Sequence, residues 1–134
     1  MATSTESLVD ETGKPTAAGW RIIGERLRQP MPTHTRPGRG GRAFEYVTAS
    51  QVAQRLDETV GPGNWSSRLQ LLGTEPWIVL CELTLFGVTK ADVGYSNAPD
   101  SEEESEPAKA AASDALKRAA LLWGVGRWLR LKPN

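Results

Sequence analysis

The run A-K-A-A-A-S-D-A-L-K-R-A-A-L-L-W-G, residues 108–124, constrains the fold more than any other stretch of the chain. Alanine at this density has the strongest intrinsic preference for helix, and Gly124 and Gly126 stop it. Ser105 and the acids Glu103, Glu104 and Glu106 stand at its start, where the helix dipole favours negative charge. On one side fall Leu116, Ala119, Ala120 and Trp123, which need an apolar sheet to lie on. On another side Lys109, Ser113 and Lys117 step by four, with Arg118 beside them. That stripe is left for water or a ligand.

The sheet is legible just upstream. Residues 65–72 and 77–86 are rich enough in β-branched and aromatic side chains for strands, with Glu75 and Pro76 at their junction. Gly87 turns the chain into a third strand at residues 90–95, which predicts an antiparallel meander. Residues 48–61 predict a capped helix. Thr48 or Ser50 is the N-cap, Val52, Leu56 and Val60 share a face, and Gly61 is the stop. G-P-G-N at 61–64 is a turn. Phe44, Tyr46 and Val47 predict a short strand, and Ile22, Ile23 and Leu27 predict a helix over residues 20–28, ended by Pro30 and Pro32.

The remaining segments read as irregular. Residues 1–19 are polar and aperiodic, a disordered tail, leaving residues 20–134 as one domain. T-H-T-R-P-G-R-G-G-R at 33–42 reads as a Gly- and Arg-rich loop, residues 97–107 as a mobile acidic loop, and residues 126–134 as a tail. The order α–β–α–β–β–β–α places the chain in the α+β class: a three-stranded antiparallel meander on a long C-terminal helix, with flanking N-terminal helices.

The formal net charge of +0 conceals three blocks. Residues 21–42 hold six arginines against Glu25; residues 107–134 hold six lysines and arginines against Asp114; residues 92–106 hold six acids and no base. Screening acts over about 8–10 Å, so each block is felt locally. The two basic blocks fit a nucleic-acid backbone, although solvated charge runs are common. No apolar run reaches the ~20 residues of a membrane span, and the first residues lack a secretory or import pattern. Cys81 stands alone and forms no internal disulfide, which fits a reducing cytoplasm.

Catalytic constellations are lacking. His34 is the single histidine, with no second ligand beside it for a metal. Cys81 reads as a buried inert thiol, and Glu102, Glu103, Glu104 and Glu106 as hydrated loop carboxylates. P-G-R-G-G at 37–41 lacks the lysine and hydroxyl ending of a phosphate loop. The reading is a binding protein: no enzyme, no metal, no cofactor. In the basic stripe, Lys117 and the flat fork of Arg118 can hold a backbone phosphate, and Asp114 with Arg118 can equally form a surface ion pair. Arg36, Arg39 and Arg42 sit among glycines that allow close backbone approach, although a solvent-facing connection has the same composition. Trp65, Trp77, Trp123 and Trp128 lie in apolar patterns and read as core; Tyr46 is the stacking candidate.

Three stretches carry a family pattern. They are R-P-G-R-G-G-R-A-F-E-Y-V-T-A-S-Q-V-A-Q-R-L-D-E-T-V-G-P-G-N-W at 36–65, A-D-V-G-Y at 91–95, and K-A-A-A-S-D-A-L-K-R-A-A-L-L-W-G-V-G-R-W-L at 109–129. In these the chain resembles the Rad52/22 superfamily of single-strand annealing proteins, in its bacterial DNA damage response and phage branches, over residues 20–131. The resemblance implies a β–β–β–α core that assembles into a homo-oligomeric ring with single-stranded DNA in a basic groove. It further implies strand annealing and end protection in recombination and double-strand break repair without ATP. Carried over by position, the groove contacts are Arg36, Tyr46, Lys109, Lys117 and Arg118. The chain departs from eukaryotic members at Leu121, where they have a further arginine, and at residues 101–106, which are acidic here. It also stops at Asn134, so a second, outer DNA site and a recombinase-binding tail are expected to be missing. Arg39, Arg42, Arg127 and Arg130 are candidates to compensate. An alternative is an oligomeric scaffold that recruits other repair proteins through its acidic loop, with weak DNA binding.

Overall fold

In the computed structural model, which describes residues 8–96 and 106–131, the chain forms helix α1 (Ala17–Leu27), strands β1 (His34–Pro37) and β2 (Ala43–Tyr46), and helix α2 (Ala49–Val60). Strands β3 (Trp65–Thr74), β4 (Trp77–Leu85) and β5 (Val88–Ser96) follow, then helices α3 (Pro107–Trp123) and α4 (Arg127–Leu131). β3, β4 and β5 make an antiparallel sheet in that order, while β1 and β2 make a separate hairpin. The architecture is α+β, with the expected meander packed on the long helix.

Small residues set how close that helix comes to the sheet. Ala111, Ala115 and Ala119 recur every four residues and are wholly buried, which brings the α3 backbone down onto β4 and β5. Gly94 completes the fit, because a Cβ there would run into the backbone of Ala115. Along β4 the two-residue period puts Val79, Cys81, Leu83 and Leu85 under the helix, all buried. The indole of Trp123 donates to the Leu83 carbonyl at 3.2 Å and fixes the far end.

Ile23 and Leu27 of α1 and Val52, Leu56 and Val60 of α2 fill the rest of the core. α2 begins with a reciprocal cap. Thr48 Oγ1 accepts the Gln51 N–H at 3.1 Å, and the Gln51 side chain accepts the Thr48 N–H at 2.8 Å. Phe86 and Gly87 form the β4–β5 turn with φ of 48° and 81°. The strained Phe86 is held by its N–H on the Asn64 carbonyl at 2.9 Å and by its ring packed edge-on to Trp20.

Three segments differ from the sequence expectation. Residues 8–19, read as part of a tail, are built into the fold: Leu8 is wholly buried, Val9 bridges Pro15, and Thr16 caps α1. A single inserted leucine is too short a signal for periodicity to register. The Gly- and Arg-rich stretch is a hairpin, with Arg36 opposite Phe44, His34 opposite Tyr46, and Gly40 and Gly41 at positive φ in the turn. β2 fits the strand expected at Phe44 and Tyr46, but β1 is exposed throughout, so no apolar alternation marks it. The segment after Gly126 is α4. Residues 1–7 and the expected acidic loop at 97–105 lie outside the described residues.

Candidate nucleic-acid interface

The basic side chains divide by what they touch. Arg55 donates to the carbonyls of Arg26 at 2.9 Å and Gln29 at 2.7 Å, closing the end of α1. Arg127 donates to the Leu121 and Leu122 carbonyls at 2.8 and 3.1 Å. Lys90 reaches the same Leu122 carbonyl at 3.3 Å, with its ammonium 4.6 Å from the Trp123 ring centroid. Cations at helix C-termini neutralise unpaired carbonyls and oppose the dipole. These three stabilise the fold.

A second group faces a groove of about 370 Å³ between the β1–β2 hairpin and α3. Strand pairing puts His34, Arg36, Phe44 and Tyr46 on one face of the hairpin. The Arg36 guanidinium lies 4.7 Å from the Phe44 centroid and 5.1 Å from that of Tyr46. Across the groove the Lys117 ammonium is 5.9 Å from the same Tyr46 ring. The half-buried tyrosine therefore stands between a cation of the hairpin and a cation of the helix. Such cation–ring contacts contribute about 0.5–1 kcal/mol at exposed sites and hold the rings in place.

Arg118 completes the α3 wall. Its Nε donates to Asp114 Oδ2 at 2.9 Å, and that carboxylate raises the guanidinium pKa further above its already high value. The ion pair expected from the i, i+4 spacing is thus present, and Arg118 still lines the groove. Leu121, Val125 and Leu129 add an apolar wall, and Arg130 of α4 stands at its edge.

The hairpin and the helix therefore face each other, and Arg36, Tyr46, Lys117 and Arg118 come together. The other expected contacts lie apart. Lys109 is exposed on the first turn of α3, two turns from Lys117 and about 12 Å along the axis. Arg42 is exposed where the hairpin turn ends, and Arg39 lies in that turn. Phe44, expected as a strand residue but not as a contact, lines the groove because it pairs with Arg36. Arg130, rated only as a candidate to compensate, lines it because α4 folds back.

The described residues contain no group of three His, Cys, Asp or Glu side chains placed to hold a metal, and no helix long and apolar enough to cross a membrane. Cys81 is buried, and desolvation, with Glu82 nearby, pushes its thiol pKa up. His34 packs on Tyr46 at 5.6 Å between ring centroids.

Comparison with known proteins identifies the family. The family described as Rad52/22 family double-strand break repair protein matches residues 23–133. Single-stranded DNA-binding protein DdrA of Deinococcus radiodurans is 37% identical over 80% of this chain and 54% of its own length. DdrA of Deinococcus deserti is 38% identical over 80% of this chain and 56% of its own length. The chain thus spans about half the length of the curated relatives it matches.

Proposed function

Since this chain belongs to the Rad52/22 family of double-strand break repair proteins, we propose that it binds single-stranded DNA along the groove between the hairpin and α3. The convergence of Arg36, Tyr46, Lys117 and Arg118 on that groove carries the reading. The cations hold the phosphate backbone, and Tyr46 offers a ring for a base. A grip on the backbone leaves the base edges free, so a held strand can still pair with its complement. Annealing then draws on base stacking, about 1.4 kcal/mol per step, without a nucleotide cofactor. The same grip shields a strand end in the nucleoid.

A ring of copies supplies the remaining affinity. β3 is an edge strand whose Leu69, Leu71 and Leu72 are 50%, 53% and 51% exposed. Leu69 and Leu71 pair with Cys81 and Val79, so they point to the face that α3 covers over β4 and β5 but leaves open over β3. Apolar side chains beside free backbone groups suit a second copy of the chain. Neighbouring grooves joined in this way multiply a few contacts into tight binding.

The test is Lys117→Ala with Arg118→Ala, measured by anisotropy of a labelled oligonucleotide. A fold intact by circular dichroism with at least about tenfold weaker binding is expected. An isotherm equal to the parent's removes the groove from the account.

A further inference from the structure

We propose that Arg130 is a third wall of the same groove and grips the phosphate next to the one held by Lys117 and Arg118; this rests on the DNA-binding reading above. The chain reverses after α3 through Gly124 and Gly126, whose φ values of 108° and 83° lie in the left-handed region that favours glycine. Gly124 has a second constraint, since a Cβ there would stand 2.8 Å from Arg28 Cγ. The reversal carries α4 back beside the end of α3, where Val125, Gly126, Leu129 and Arg130 all line the groove. Arg127 clamps the corner through its two carbonyl bonds, which sets where α4 begins.

The two arginines of α4 are therefore unlike. Arg127 is spent on the Leu121 and Leu122 carbonyls. Arg130 is exposed and makes no hydrogen bond or ion pair with any described residue. The other groove arginines are tethered, Arg118 by Asp114 and Arg36 over Phe44 and Tyr46. An exposed cation with no partner among the described residues, lining a groove that other cations also line, matches an anion on the ligand. Its planar fork suits a phosphodiester oxygen pair. Leu121 and Leu129 line the same groove. α4 thus converts an open channel between two elements into one bounded on three sides.

The experiment compares Arg130→Gln, Arg130→Lys and the Lys117→Ala/Arg118→Ala pair in the full chain. Each is titrated with labelled oligothymidylate and with a mixed-sequence oligonucleotide across a salt series. Arg130→Gln is expected to bind both about three- to tenfold more weakly at low salt. Its slope of log affinity on log salt should be shallower by about 0.7 or more, as for a lost phosphate contact on a single strand, with an unchanged melting temperature. Arg130→Lys should restore most of the slope. If Arg130→Gln keeps the parent slope while the Lys117/Arg118 pair loses binding, the role of Arg130 is overturned and the groove stands. Loss of melting temperature in Arg130→Gln equally overturns it, in favour of a structural role. If neither variant loses affinity, the groove itself is the wrong surface.

Discussion

Arg118 donates from Nε to Oδ2 of Asp114 at 2.9 Å, and the same oxygen accepts the backbone N–H of Tyr95 at 3.1 Å. One carboxylate ties the edge of the sheet to the helix that presents the groove. The ion pair is about a third exposed on each side, so on its own it adds only a few tenths of a kcal/mol. The backbone bond is the larger part, at about 1 kcal/mol. Asp114→Ala should therefore lower the melting temperature by about 3–5 °C, while Asp114→Asn, which keeps an oxygen for Tyr95, should lower it less. Equal effects would show that the ion pair dominates. The raised pKa of Arg118, caused chiefly by Asp114, means that its charge and its contribution persist throughout the neutral range, below the guanidinium range. DNA affinity at fixed salt should accordingly owe no change to Arg118 between about pH 6 and 9.

Gly94 against Ala115 sets how closely α3 can lie on β5. Gly94→Ala should cost at least about 1–3 kcal/mol, the cost of overpacking, because the atom it meets is backbone and cannot swing away. Chemical denaturation should show a lower midpoint with an unchanged slope. A midpoint equal to the parent's would mean that α3 sits farther from β5 than described.

Cys81 should be silent to a thiol reagent in the folded protein and react fully in denaturant. Its pKa is raised, chiefly by desolvation, so the unfolded chain ionises first as pH rises. Any contribution of this thiol is complete at neutral pH and declines once pH passes the ordinary thiol range. Rapid native-state labelling at neutral pH would contradict the packing of β4 under α3.

Leu71→Glu places a charge on the open face of β3, where a neighbouring copy is proposed to sit. Light scattering should show a smaller assembly, with secondary structure retained because the residue is about half exposed in the single chain. An unchanged mass would move the contact between copies elsewhere.

How much of this was legible depended on where each segment hides its apolar side. α2 announced itself through a cap at Thr48 or Ser50, the apolar face of Val52, Leu56 and Val60, and Gly61, and the meander through strands rich in β-branched and aromatic residues. Lys117 and Arg118 were legible because a helix fixes which residues share a side. Of the hairpin, only the second strand was legible, and the pairing was not. Its strands bury almost nothing, and its order comes from cross-strand pairs such as Arg36 on Phe44, which only pairing reveals. Arg130 was ambiguous for a related reason: where α4 points depends on two glycine torsions and on the Arg127 clamp. Lys109 shares the stripe but does not line the groove, because a stripe along a helix says nothing of how far a groove extends.

Hairpin and helix gripping one strand is the claim everything else needs. The direct measurement is the salt dependence of single-strand affinity for Arg36→Gln, for Lys117→Gln with Arg118→Gln, and for all three together. Each should make the slope shallower by about 0.7 for every phosphate released, with the triple variant shallower than either. Arg36→Gln with the parent's slope and affinity would show that the hairpin does not touch the strand, and would contradict the account.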